Sequence, residues 1–346
     1  MNFKLDLDHE TLRVGKLSIT FQRTLRLPDD GRKYPLPPGL GCFPLRSVDD
    51  YRDRVPADWR EHGGVFLPMY QREAMWISFG VSGETPHAVK VAVGKICALT
   101  GKPWTEGLHR DPQDFLVTPP QPWLDGIASG GKGLIRQFVA MPLGMGYTVE
   151  GQVSGEERFG GIQLKVFAPR PGLFPERQAR EDDDADCRCA EEALFCCAPS
   201  PAPFGVTSRS LSRRRAGAMG LGAGGKMKQK IYSDPHGLAT WDEQQSGRLF
   251  VHIVNSELWR EITGEAPPES PVTAREYANH DLPWFDLYDE GAPTLSSQST
   301  LDQVRSIKQM DQQQCTLPLQ DDEPVKVGPV KKLWNHLAGG LRDGDW

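Results

Sequence analysis

Glycine and proline interrupt this chain too often for any regular element to run long. With 36 glycines and 29 prolines among 346 residues, roughly one residue in five breaks or turns the backbone, above ordinary usage. Proline removes an amide donor and glycine weakens a helix, so short strands joined by turns are favoured over helical bundles. Between the breaks the patterning has period two. Leu17, Ile19 and Phe21 alternate with Ser18, Thr20 and Gln22, and Leu25 and Leu27 follow in step with Thr24 and Arg26. Val89, Val91 and Val93 alternate with Lys90 and Ala92, and Ile162, Leu164 and Val166 with Gln163 and Lys165. Such runs predict strands with two distinct faces. Further strands are expected at 65–67, 74–79, 96–99, 115–117, 134–141, 147–152, 229–232 and 249–254. No βαβ periodicity is visible. The expected fold is α+β and β-rich, mainly antiparallel sheet or sandwich, with short helices and long loops.

A few helix signals stand out. Asn255 precedes a short apolar-periodic stretch at 256–263 that Gly264 closes, a capped helix. Thr273 and Glu276 have capping-box spacing, predicting a helix to about residue 279. Another is expected over 47–60, with Ser47 as N-cap and Pro56 interrupting it, and a weak one within 296–311. Composition changes after Phe174: an acidic run at 181–184, four crowded cysteines and Arg213–Arg215 follow without periodicity. Residues 175–216 are read as a disordered, low-complexity insert between two parts of one core, 1–174 and 217–290. Residues 291–346 are read as a polar tail, in which 330–341 can dock through Leu333, Trp334 and Leu337.

A formal charge of −6 suits solubility and disfavours wholesale binding of nucleic acid. The first residues carry no basic stretch followed by an apolar one, so no signal peptide is read. No apolar run reaches the roughly 18 residues of a membrane helix, so no membrane insertion is expected. Seven cysteines without an export signal are expected to stay reduced, which places the chain in the cytoplasm. Cys187, Cys189, Cys196 and Cys197 miss the usual zinc spacing. No metal or cofactor is expected, and no partner is identified beyond a possible protein.

The segments 136–152, Phe159-Gly-Gly-Ile-Gln163, 219–225, Phe250-Val-His-Ile-Val-Asn-Ser-Glu257 and 282–290 resemble those of a family of bacterial, notably actinobacterial, proteins. The resemblance spans about residues 20–290 without the insert. That family has no assigned activity, so the resemblance implies no catalytic residue.

Candidate chemistry is sparse. His109 with Asp111 and Asp114 is the densest acid–imidazole group, and His236 lies in an Asp-Pro-His-Gly turn. Either could place a general base or simply shape a turn. Gly222, Gly224 and Gly225 precede Lys226 and Lys228; a glycine-rich loop can cradle phosphate between backbone amides, although this one matches neither a Walker loop nor a dinucleotide fingerprint. The lysines belong to a stretch of positive charge that includes Arg213–Arg215. Pro103-Trp104, Pro122-Trp123 and Pro283-Trp284 can anchor loops or stack on ligands. His252 is read as a satisfied core residue. The favoured reading is a soluble, non-enzymatic binding or protein-interaction protein. The alternatives are an enzyme, possibly hydrolytic, using His/Asp groups in a loop-lined pocket, and phosphate or nucleic-acid binding through 213–230.

Overall fold

The computed structural model describes residues 5–83, 85–174, 217–286, 293–295, 299–316 and 320–332. The fold is β-rich, dominated by one large and mainly antiparallel sheet with few short helices. The 175–216 segment, with its four cysteines and Arg213–Arg215, lies outside the described residues, as do 333–346.

Strand pairings run along a path whose two ends the chain itself joins. Ala74–Val81 pairs through Met75 and Ala74 with Leu134–Pro142, which pairs along its length with Ala218–Lys228. That strand hands over to Trp241–Asn255 at Ala218 and Met219. Trp241–Asn255 pairs with Ile162–Pro169, then comes His87–Val93 and Leu116–Thr118. A few residues on, Trp123–Leu124 returns to Ala74–Val81. Closure of this kind leaves few unpaired edges, the standard hazard of a large sheet. Leu17–Thr24 extends the sheet outside this path, pairing along its whole length with Ala74–Val81. Two parallel additions, Val65–Met69 on Trp241–Asn255 and Lys33–Tyr34 on Ala218–Lys228, lie within the otherwise antiparallel sheet.

Side-chain parity assigns the faces. Val89, Val91 and Val93 join Leu164, Val166, Val251, Leu221 and Phe138 in one core cluster. Residues of the other parity form separate clusters on the opposite face. Ala88 and Phe167 pack with Phe115 and Trp241; Val139 and Met141 pack with Tyr147, Ile307 and Met310; Phe66 and Val254 pack with Trp59 and Trp259. Because successive strand side chains alternate, one strand can serve both sets. This is why His87–Val93 is buried at every position, where the alternation suggested one wet face.

The helix signals behave as their chemistry predicts in two places. Asn255 accepts from Glu257 N and Gly264 closes Ser256–Thr263 in the left-handed region. Thr273 and Glu276 form the capping box of Ala274–Asn279. Three expectations need correcting. The 147–152 segment is not a strand: Thr148 accepts from Gly151 N and starts the helix Val149–Ser154, which Gly155 ends. The 47–60 helix is two pieces, Asp49–Tyr51 and Ala57–His62, because Pro56 sits extended between them and Ser47 belongs to a strand. The strand expected at 229–232 ends at Lys228.

The stretch read as a polar tail also needs correcting for its described part. Leu301, Val304 and Ile307 are buried. The helix Ile307–Gln313 starts from a Ser306/Gln309 capping box. Arg72 grips Asp311 at 2.7 Å and Arg26 grips Asp322 at 2.7 Å. Val330–Lys332 pairs with Trp284–Asp286. The last described segments are thus tied to strands and loops far earlier in the chain.

The glycine-rich stretch is the largest departure from expectation. Residues 218–228 form a strand rather than a loop. Met219, Leu221 and Ala223 point to the main core, so Gly220, Gly222 and Gly224 occupy the other face. A Cβ on Gly222 would sit 2.9 Å from the Tyr147 carbonyl oxygen, and one on Gly224 2.6 Å from Val139 Cγ2. Gly225 would collide with two backbone carbonyls, Pro28 at 2.6 Å and Leu27 at 2.8 Å. The glycines let backbone approach backbone. We expect Gly225→Ala to destabilise the fold by about 1–3 kcal/mol, seen as a lowered midpoint in urea unfolding. Gly217→Ala, whose Cβ would meet nothing closer than Leu258 at 3.4 Å, should be nearly neutral.

Candidate functional site

One face of Trp241–Asn255 builds a column of flat groups. Alternate residues of a strand stand roughly 7 Å apart on one side, and here they are Arg248, Phe250 and His252. Phe250 and His252 lie parallel within 11°, with centroids 6.2 Å apart. His252 stacks on Trp59, 4.6 Å away and within 15° of parallel. At the other end the Arg248 guanidinium lies 4.8 Å from the Phe250 ring and 5.5 Å from that of Trp104. Glu106 and the Gln163 side chain, each at 2.8 Å, fix Arg248 in place.

A cleft of about 730 Å³ opens beside this column. The helix Ala57–His62 forms one wall and the 156–160 loop another. His62 sits edge-on to both neighbouring rings, 5.1 Å from Phe250 and 6.1 Å from Phe159. Lys95 places its ammonium 3.8 Å from the centre of Phe159, and Arg158 lies 5.3 Å from it. The loop is held from beneath. Glu150 accepts from the amides of Phe159 at 3.2 Å and Gly160 at 2.9 Å, and burial pushes its carboxyl above the ordinary range. Glu157 is committed to Gly146 N, Thr148 N and the Thr148 hydroxyl.

The two imidazoles have defined tautomers, because a carbonyl can only accept. His62 Nδ1 donates to the Asp58 carbonyl at 2.6 Å, and His252 Nε2 donates to that of Gly63 at 2.9 Å. His62 Nε2 and His252 Nδ1 are left as acceptors when the rings are neutral. Burial, helped by nearby His62, pushes His252 down to about 4, so it is uncharged at neutral pH. It is the satisfied buried histidine the sequence suggested, and it also lines the cleft.

A second, smaller cavity of about 160 Å³ contains the acid–imidazole candidates. Asp114 is buried. Its Oδ2 meets His109 Nδ1 at 2.9 Å and Lys90 Nζ at 2.8 Å, while its Oδ1 accepts from His109 N at 2.8 Å. Lys90 also donates to Thr105 and to the Gly107 carbonyl, pinning the loop that carries Trp104. The His109 side chain is 55% exposed. Asp111 lines the same cavity. His236 is elsewhere: Asp234 accepts from His236 N and Gly237 N in a side-chain turn, and the ring rests edge-on against Phe174 and Trp241. Gly222, Gly224, Gly225, Lys226 and Lys228 lie in the paired strand described above. Gly222, Lys226 and Lys228 are in ladder register with Val139, Arg136 and Leu134, and Gly224 and Gly225 fall at the register shift between them, so the stretch is an extended strand rather than the loop from which a phosphate-cradling amide nest is built.

Of the Pro-Trp pairs, Trp284 is fully buried between Tyr34 and Tyr277, Trp123 meets Trp76 at 5.8 Å, and Trp104 caps the column. Among the described residues no group of three His, Cys, Asp or Glu side chains can hold a metal, and no helix is long and apolar enough to cross a membrane.

The sequence reading missed the cleft because its walls come from residues 56–62, 95, 143–144, 156–160 and 250–252. The one local signal was the alternation of Arg248, Phe250 and His252 with Leu249, Val251 and Ile253. Residues 158–160 and 250–252 meet here through the sheet. No known protein family, no curated protein and no solved structure matches the chain.

His252 and His87, both held near 4 by burial, set one pH response. Unfolded histidine titrates near 6.5, so between about 6.5 and 4 the unfolded chain binds protons that these two native rings refuse. Their contribution is complete above that window and is lost as pH falls through it. We expect His252→Phe to reduce the loss of stability between pH 7 and pH 4.5, measured by urea unfolding at both.

Proposed function

We propose that this chain is a binding protein that takes a small organic molecule with a flat ring into the cleft beside Phe250. The observation that carries the reading is the contiguous rim of half-buried rings, Phe159, His62 and Phe250, along a cleft of about 730 Å³. That volume is the usual size for a small-molecule site, and such sites combine apolar walls with a few placed polar groups. Offset or edge-on ring contacts add about 0.5–1.5 kcal/mol beyond the area they bury. The rim is held before any ligand arrives: Glu150 fixes the Phe159 loop, the Asp58 carbonyl orients His62, and the column fixes Phe250. Preorganisation lowers the cost of binding.

A cytoplasmic location is part of this proposal, supported by the reduced thiols of Cys97 and Cys315. Membership of the bacterial family that the sequence resembles is likewise proposed, and it supplies no residue roles. The test is a thermal-shift panel of nucleosides, indoles and flavins on the intact chain. A ligand held only by the folded state adds about 2.7 kcal/mol of stability at a hundredfold excess over Kd and so raises the midpoint by mass action. We expect a shift with at least one ring compound and its loss in Phe250→Ala. A shift that survives in Phe250→Ala would place the ligand elsewhere.

A second reading, hydrolysis, is favoured by one contact. Asp114 fixes the Nδ1–H tautomer of exposed His109 and leaves its Nε2 to act as a general base towards water at the small cavity. This is the oriented-imidazole arrangement without a nucleophile of its own. If it operates, turnover in an esterase screen should fall at least tenfold in His109→Gln. Turnover unchanged in that variant removes the reading.

A further inference from the structure

We propose that the ring-bearing ligand of the cleft carries an anionic group, a carboxylate or a phosphate, and that Lys95 and Arg158 receive it. The inference rests on the cleft reading above and adds the ligand's charge. The walls hold charges of both signs: Lys95 and Arg158 against Asp58, Glu61, Glu156 and Glu157. Counting them does not choose between a cationic and an anionic ligand. Their contacts do.

A cationic ligand in an aromatic cleft needs an open ring face. Here those faces are already covered by the protein's own cations. Lys95 lies 3.8 Å from the centre of Phe159 and Arg158 5.3 Å from it, while Arg248 lies 4.8 Å from Phe250. A ligand ammonium approaching either ring would meet like charge.

The cations themselves differ in what balances them. Arg248 is answered by Glu106 at 2.8 Å, and so is Lys165 at 3.0 Å. Lys95 and Arg158, by contrast, make ring contacts, and no described carboxylate forms an ion pair with either. The nearest acid in the chain to Arg158, Glu157, is spent on the amides and hydroxyl of 146–148. Two cations flanking one ring on the cleft wall, with no described carboxylate at ion-pair distance from either, offer an anionic group two charged donors while the ligand's ring lies along His62 and Phe250. Charge-assisted bonds of this kind are about twice as strong as neutral ones.

The test uses matched probes on the full chain: adenosine 5′-monophosphate against adenosine, and 2-naphthoate against 2-naphthamide, with affinities from titration calorimetry. We expect the anionic member of at least one pair to bind about tenfold or more tightly than its neutral partner, a difference of about 1.4 kcal/mol. A response confined to the nucleotide assigns a phosphate, and one confined to naphthoate assigns a carboxylate. The preference should weaken with added salt. It should fall below about twofold in Lys95→Gln/Arg158→Gln, whose unfolding midpoint checks that the fold is intact. Neutral probes that bind as well as their anionic partners, and lose binding in Phe250→Ala, would overturn the anionic assignment and leave the cleft reading standing. Probes of neither kind binding, in the wild type or in any variant, would overturn both.

Discussion

Every amide in a sheet needs a partner, and a sheet of this size must dispose of its edges. Here the pairing path leaves Ala74–Val81, crosses six further strand segments and returns through Trp123–Leu124. Most other features follow from that closure. With the path closed by the 119–122 connection, each long strand has a side turned to the main core and a side turned away from it. The outward side must then be covered or used. Three patches of it are covered by short helices and loops, which explains the three satellite clusters around Trp241, Tyr147 and Trp259. A fourth patch, the row of Arg248, Phe250 and His252, is only partly covered, and the cleft lies there.

The covering pieces are held by charge and by small residues rather than by length. Lys90 is almost wholly buried, yet all its donors are satisfied by Thr105, Gly107 and Asp114, which makes a buried charge tolerable. It fastens the 104–109 loop onto the sheet and so places Trp104 at the end of the stacked column. Arg72 and Arg26 do the same for the last described segments through Asp311 and Asp322. On the glycine-bearing strand the covering is direct, because Tyr147 and Ile307 occupy space that side chains at Gly222 would otherwise take.

The legibility of the sequence follows from the range over which each signal acts. Alternation such as Val89-Lys90-Val91 or Ile162-Gln163-Leu164 is local, and the strands it predicts are present. Caps such as Asn255 and the Thr273/Glu276 box are also local, and the helices begin where those residues stand. Residues 218–228 were opaque because glycine carries no strand signal. Their place in the sheet is decided by what lies across from them, which only the folded chain reveals. The His109–Asp114 contact was legible at five residues' separation. The cleft was not, because His62, Lys95, Phe159 and Phe250 are joined by the sheet rather than by spacing. The misread tail shows the same limit: Leu301 and Ile307 are sparse in a polar stretch, and their burial depends on surfaces more than a hundred residues earlier.

The strand Trp241–Asn255 separates two jobs by parity. Leu249, Val251 and Ile253 belong to the main core, while the rings of Phe250 and His252 line the cleft and Arg248 lies against Phe250. Substitutions at even positions therefore leave the packing of odd ones largely untouched. On the binding reading proposed above, recognition can change one alternate residue at a time without refounding the architecture that presents it.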